Sequence, residues 1–390
     1  MNAATRTAVR LCLNRGHTPV GISNGFTGLV NGSVKNLSWH NVQGWMTRGG
    51  SELGTNRDQP APLPSEEHIH PPTGTKYIEL GMIAYALQKH SISALLIIGG
   101  FEAFTSLLTL FSARHIHPAF RIPIVQIPAT VSNNVPGTDY SIGSDTALNA
   151  IVESCDRIKQ SASASRSRVF VVEVQGGQCG YLAVVGGIAT GATNVYIPEE
   201  GINLAMLEAD VRHLTRRYSE ENRKFISSEG RVILRNECTS TDAYSTNVVS
   251  NILRAEGKGL FDSRTAVLGH LQQGGTPSPL DRIRAVRQAV DCMNWIERML
   301  EATPSPRQGP LLFTKARDSC CVIGIRGAEV AFTPVGDLVG ETDLKQRKGN
   351  DMWWFAMRNE IKILSKYEYF DDEDEDKKDL KLLKDEIKAN

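Results

Sequence analysis

Apolar residues along this chain fall into short continuous runs separated by longer stretches of helical period. Ala94 to Ile98, Ile124 to Ile127, Val169 to Val174, Asn194 to Ile197, Val232 to Leu234 and Thr265 to Leu268 are runs of the first kind. Such runs suit strands buried on both faces of a parallel sheet. Between them lie helix predictions at Tyr77 to Lys89, with Ile78, Met82 and Ala86 on one face, at Ala103 to Ala113 and at Ala147 to Lys159. A glycine- and alanine-rich segment through Thr190 and the segment Asn203 to Arg217 complete this set. The chain opens on a helix over Ala3 to Arg15, capped by Gly16, and a strand over Pro19 to Ile22. Ser278 and Pro279 have the chemistry of a helix start, and that helix runs to Glu301. Cys321 to Ile325 and Glu329 to Phe332 read as a hairpin, and Trp353 to Lys366 as a closing helix. Strand and helix in steady alternation predict an α/β fold with parallel sheets joined by crossovers.

Composition narrows what this fold serves. A length of 390 residues allows two or three compact units. Acidic and basic residues balance at 43 each, which argues against nucleic acid or an anionic membrane as a bulk partner. No apolar run approaches the roughly 18 residues that a membrane-spanning helix needs. The seven cysteines show no CxxC spacing, which predicts reduced thiols in a cytoplasmic protein, without a disulfide framework or a zinc site. His68, His70, His115 and His117 read as loop histidines. Arg6, Arg10 and Arg15, with no acid nearby, also fit a transit peptide, but the segment reads better as the first helix. Residues 58–75 are proline-rich and predict an exposed insertion; residues 369–390 form a charged tail.

The candidate chemistry lies where strands end, the place at which open α/β sheets bind ligands. Pro128 to Gly143 is rich in hydroxyl and amide groups and carries no charge before Asp139. Ser132, Asn133 and Asn134 do not titrate near neutrality, so this surface suits a sugar and not proton transfer. Three other strand ends carry glycine or polar residues: Gly99 to Ala103, Gln175 to Gly180, and Gly269 to Gly275. Arg57, Arg168 and Arg264 lie close by in sequence and are able to grip phosphate. The fingerprints of dinucleotide-binding, P-loop and α/β-hydrolase proteins are missing.

In this order the segments resemble a 6-phosphofructokinase over roughly Met1 to Glu368, and more closely the C-terminal, regulatory half of the duplicated eukaryotic ATP-dependent enzyme. The resemblance is carried by Met1-Asn-Ala-Ala-Thr-Arg6, Gly25-Phe-Thr-Gly28, Gly99-Gly-Phe-Glu-Ala103, Thr130-Val-Ser-Asn-Asn134, Gly176-Gly-Gln-Cys-Gly-Tyr-Leu-Ala183, Leu234-Arg-Asn-Glu237 and Leu268-Gly-His-Leu-Gln-Gln-Gly-Gly275. It implies two three-layer subdomains with mostly parallel sheets and a ligand cleft between them. The larger is expected over 1–143 and 272–330, the smaller over 144–271 and 331–368. Catalytic copies carry Gly-Gly-Asp-Gly-Ser at the nucleotide phosphates; here Phe101 replaces the metal-binding aspartate and Glu102 adds a negative charge. Ser132 and Asn134 replace the two aspartates of the catalytic loop, and Gly177 replaces the phosphoryl-steadying arginine. Mg²⁺ and ATP are accordingly expected in the catalytic half of the family and no cofactor in this one. Asp139 and Asp145 are the nearby carboxylates, and the motif puts neither at the base position.

What the resemblance implies instead is a seat for the activator fructose 2,6-bisphosphate. Its residues would be Arg57, Thr130, Val131, Ser132, Asn133, Asn134, Arg168, Gln175, Gly176, Gly177, Glu237, Arg264, His270, Leu271, Gln272, Gln273 and Arg347. Arg264, Arg347 and His270 suit one phosphate and Arg57 the other, while Glu237 and the backbone at Gly176 and Gly177 suit sugar hydroxyls. Arg168 is expected to reach in from a neighbouring subunit, so other phosphofructokinase halves or subunits are implied partners. Singly, each of these residues has an ordinary structural use; it is their joint order that singles them out. Family members begin this repeat with an apolar strand before the Met-Asn-Ala-Ala helix, whereas this sequence starts at Met1. The expectation is a truncated chain without that first strand.

Overall fold

The structure is a computed structural model that describes residues 1–63, 76–165, 167–224, 230–240, 243–302, 314 and 316–366. In chain order the elements are α1 (Asn2–Asn14), β1 (Val20–Ile22), α2 (Gly25–Val30), β2 (Val34–Asn36), β3 (Gln59–Pro60), β4 (Tyr77–Ile78), α3 (Leu80–Lys89), β5 (Leu95–Gly99), α4 (Phe101–Ser112), β6 (Ile124–Pro128) and α5 (Ser144–Ser165). They continue with β7 (Arg168–Val174), α6 (Tyr181–Thr190), β8 (Asn194–Tyr196), α7 (Leu204–Arg223), β9 (Arg231–Asn236), α8 (Thr246–Glu256), β10 (Asp262–Val267), α9 (Pro279–Ala302), β11 (Cys320–Arg326), β12 (Glu329–Pro334), β13 (Thr342–Asp343), β14 (Lys348–Gly349) and α10 (Met357–Leu364).

Two four-stranded sheets organise the molecule. In the first, ordered β12-β11-β6-β5, only β12 is antiparallel; it closes a hairpin on β11 with Ile323 opposite Phe332. The second, ordered β10-β7-β9-β8, is wholly parallel, with Val171 between Ile233 and Thr265. Because side chains alternate along a strand, each apolar run feeds two cores. In the first sheet Ile124, Cys320 and Val322 pack under α3 and α4, while Val125, Ile127, Cys321 and Ile323 pack under α1 and α9. In the second, Val172, Val174, Val232 and Leu234 meet α5, α6 and α10; Val169, Val171, Tyr196 and Ile233 meet α7 and α8. The result is two three-layer α/β sandwiches, with α5 and α9 as the crossings between them.

Several local readings change. Residues 331–334, expected with the second unit, belong to the first sheet through β12. Tyr77 and Ile78 form a short parallel pair with Gln59 and Pro60, so the helix after them starts at Leu80. The same pairing corrects the exposed insertion: Gln59, Pro60 and Leu63 are buried, and the Gln59 Oε1 accepts from Thr105 Oγ1 at 2.8 Å. The rest of that insertion, 64–75, and the tail 369–390 lie outside the described residues, as do His68 and His70. The polar stretch after β1 holds a helix and a strand, α2 and β2, turned by Asn31 and Gly32. The closing helix begins only at Met357, after a turn that buries Trp354. All seven cysteines are free thiols, and burial pushes those of Cys320 and Cys321 up to about 12. Among the described residues no helix is long and apolar enough to cross a membrane.

Candidate functional site

The loop after β6 is braced from three sides. At its root, Ala129 N donates to Gly99 O and Ile142 N to Pro128 O, both at 2.9 Å. In its middle, Asn133 adopts φ +53° and its buried amide spans the loop, donating to Asp139 O at 2.7 Å and accepting from Ser141 N at 2.5 Å. From outside, β11 presses its backbone on the loop: a Cβ on Gly324 would lie 1.8 Å from Gly137 O. At the exit, the buried Asp281 of α9 accepts from Gly143 N at 2.9 Å, from Thr146 N at 2.8 Å and from Thr146 Oγ1. Ser278 has the capping role its sequence suggests, accepting from Asp281 N at 3.2 Å. So held, the loop presents Thr130 and Ser132 at the cleft, with Ser132 N donating to Thr130 Oγ1 at 3.2 Å. Val131 points the other way and packs on the second unit's core.

The end of β7 faces Ser132. Gly176 and Gly177 have φ +149° and +56°, values that favour glycine. At Gly176 any side chain would be 2.5 Å from both Asn236 Nδ2 and Cys179 O. At Gly177 there is room, and an added Cβ would meet only Ser132 Oγ, at 4.0 Å. Glu237 sits beside them, its Oε1 accepting from Gly177 N at 3.2 Å. Gln175 N donates to Gln272 Oε1 at 3.2 Å, and Gln273 Nε2 donates to Gln175 Oε1 at 2.8 Å. The structure therefore assembles Thr130, Ser132, Gln175, Gly176, Gly177, Glu237 and Gln273 around one polar mouth between the units.

The third wall is the start of α4. Gly100 leaves space for Thr130, whose Cβ is 3.1 Å from where a Gly100 Cβ would stand, and Gly99 leaves space for Ala103. Gln126 Nε2 donates to both glycine carbonyls at 3.1 Å. Phe101 is 2% exposed and tilts against Phe104 with ring centroids 5.6 Å apart. Glu102 Oε1 meets Arg347 Nη2 at 2.6 Å, and the Arg347 guanidinium lies 5.4 Å over the Phe101 ring. Arg347 itself has φ +57° in the turn between β13 and β14, and its carbonyl accepts from Asn134 Nδ2 at 2.8 Å. These residues do not fit a metal-bound nucleotide. Phe101 offers a metal ion no oxygen ligand, and Glu102 with its own arginine fills the helix N-terminus that phosphates would use. Among the described residues no three His, Cys, Asp or Glu side chains converge as a metal site requires.

Other expected site residues have different roles. Asn133 and Gln272 are buried and spend their amides on the loop and on Gln175 N and Gly269 O. His270 and Leu271 are exposed on the short 3-10 turn after β10, and Arg57 is exposed before β3. Arg168 starts β7, opposite Asp262 in the register, at the far end of that strand from Gln175. Arg264 joins it there: Asp262 Oδ2 is 3.9 Å from Arg168 Nε and 2.9 Å from Arg264 Nε. Arg264, expected beside His270, is thus grouped with Arg168 on the β10 edge and not with the mouth. The candidate carboxylates are also engaged, Asp139 accepting from Gly327 N at 2.6 Å and Asp145 from Ser278 Oγ. Sequence reasoning missed Asp281, although Ser278-Pro-Leu-Asp281 has capping-box spacing. It also missed Glu199, which accepts from Gly180 N at 3.1 Å and forms an ion pair with Lys348 Nζ at 3.4 Å, and no local signal marks that residue.

Comparison with known proteins agrees with this architecture. The family described as Phosphofructokinase matches residues 1–296. The ATP-dependent 6-phosphofructokinase of Aspergillus fumigatus is 45% identical over 377 residues, covering 94% of this chain and 43% of that protein. The mouse platelet-type enzyme is 46% identical over 368 residues, covering 94% of this chain and 44% of that protein. Among solved structures, phosphofructokinase from Saccharomyces cerevisiae superposes with a TM-score of 0.82 at 45% identity, over 94% of this chain and 45% of that one. The chain spans a little under half the length of these relatives.

Proposed function

The chain belongs to the phosphofructokinase family, and from that premise we propose that it is the regulatory half of an ATP-dependent 6-phosphofructokinase. The enzyme as a whole would convert fructose 6-phosphate and ATP into fructose 1,6-bisphosphate and ADP in glycolysis, in the cytoplasm. This half would bind fructose 2,6-bisphosphate in a former active site. The observation that carries the reading is that Ser132 Oγ stands across the mouth from Gly177, 4.0 Å from where a Cβ on that glycine would be. One side has lost a base and the other an arginine, yet both strand ends still frame a polar cleft. Phosphoryl transfer depends on positioning and charge neutralisation. With Phe101 at the metal position as well, the mouth would lack the base, the metal ligand and the arginine that such a transfer uses.

In this reading Glu237, Ser132 and Gln273 take the sugar hydroxyls and Arg347 takes a phosphate. Arg168 and Arg264 serve a neighbouring subunit, because Asp262 of the edge strand β10 gathers them at the far end of that sheet, away from their own mouth. Each site is then complete only in an oligomer, and binding there would favour one quaternary state of the catalytic halves. Calorimetry of the assembled oligomer tests this. Saturable binding of fructose 2,6-bisphosphate, weakened by Arg168→Ala and by Arg264→Ala, is the expected result. Turnover of ATP with fructose 6-phosphate by the purified chain would establish a complete kinase in place of a regulatory half. Absence of saturation in the oligomer would leave a structural half without ligand.

A further inference from the structure

Arg347 and Lys348 are adjacent cations that tie the β13–β14 hairpin to both units. Arg347 reaches Glu102 in the first turn of α4 at 2.6 Å, and Lys348 reaches Glu199 at 3.4 Å. Glu199 also accepts from Gly180 N, which caps α6. Each unit thus offers a carboxylate at a helix N-terminus, and the hairpin supplies one cation to each. The two ties differ in access. Glu199 and Lys348 are 4% and 14% exposed; Glu102 and Arg347 are 26% and 23% exposed.

We propose that Glu102 is the resident counter-anion of Arg347, which a ligand phosphate must displace, and that Glu102 thereby sets the affinity and selectivity of the mouth for anions. The identity of the ligand rests on the effector reading above. A phosphate monoester carries more charge than a carboxylate and accepts from a guanidinium bidentately, so it competes well for Arg347. Glu102 is already partly hydrated, so releasing it leaves no buried unpaired charge. Lys348 has no such freedom, because its release would strand the buried Glu199 carboxylate. The hairpin therefore stays on the second unit while its tie to the first is exchanged. The Arg347 backbone stays held by Asn134, two residues from Ser132, while its guanidinium changes partner. An unphosphorylated sugar offers Arg347 nothing in return for Glu102, so the same device rejects it.

The test is calorimetric titration of fructose 2,6-bisphosphate into the assembled oligomer of the chain and of three variants: Glu102→Gln, which keeps size and removes charge, Arg347→Gln, and the double variant. Glu102→Gln is expected to tighten binding roughly threefold to fivefold, the range of a part-exposed ion pair. Arg347→Gln is expected to weaken it about tenfold, the scale of a charge-assisted hydrogen bond. The double variant should bind no tighter than Arg347→Gln alone, and free fructose should give no saturation with any of them. Unchanged or weaker binding by Glu102→Gln, alongside weakening by Arg347→Gln, overturns the displacement and leaves the effector site standing. An Arg347→Gln variant that binds like the parent removes Arg347 from the site and the inference with it. Absence of saturation in all four proteins removes both readings.

Discussion

Two helix N-termini flank the cleft, and each is met by a carboxylate. At α4 the acid is Glu102, in the helix's own first turn; at α6 it is Glu199, supplied by the segment after β8. The neighbouring cations Arg347 and Lys348 complete the two ends. Their chemistry is alike and their solvation is not. The α6 end is buried, so its ion pair is mutually dependent: neither charge can rehydrate without local opening. The α4 end is about a quarter exposed, so its pair is worth little and can change partners. Burial, more than residue type, separates a fixed joint from one that a ligand can work.

The largest test removes one acid at each end. Glu199→Ala leaves Lys348 without its partner in a buried setting and should cost about 3 kcal/mol, whereas Glu102→Ala should cost about 1 kcal/mol or less. Denaturant midpoints compare the two, and equal costs would erase the distinction. Acidification tests the second unit more broadly. Burial, and then the charges of Arg217, Arg216 and Arg231, lower the His213 pKa to about 4. Its folded pKa lies below that of the unfolded chain, so its contribution is present above about pH 6.5 and is lost as pH falls toward 4. The loss reaches about 3 kcal/mol at most, and His213→Gln should flatten that part of the stability–pH curve. A smaller effect is expected in the loop that separates the two ends. Asn133→Ala removes two buried hydrogen bonds and puts alanine at φ +53°, for about 2 kcal/mol by thermal unfolding. The smallest is at the open mouth: Gly177→Ala has room and carries only the left-handed backbone cost of about 1 kcal/mol. A cost well above that would mean that the mouth is more closed than Gly177 and Ser132 indicate.

Much of the architecture was legible from local pattern. Continuous apolar runs such as Val169 to Val174 marked strands buried on both faces, and β7 occupies that span with one residue more. Short paired segments were not legible. β3 and β4 are two residues each and owe their strand character to one another, with Gln59 opposite Tyr77, a separation that no window of periodicity sees. At the site, the mouth formed by Ser132, Gln175 to Gly177 and Glu237 was readable from the family's motifs. The separation of Arg264 from His270 was not, although only five residues lie between them. The strand carries Arg264 toward Asp262 and the following turn carries His270 toward solvent.

Residue order alone established the α/β class and the family, and it put uncharged side chains at Ser132, Asn134, Gly177 and Phe101. Each of these depends on residue identity and spacing, which the chain carries explicitly. The cations that meet Glu102 and Glu199, and the loop amides that Asp281 holds, lie more than a hundred residues away, and neither distance nor solvent exposure is encoded locally. Ion-pair strength depends on both. Packing the two units together therefore set which charge became a fixture of the fold and which remained available to a ligand.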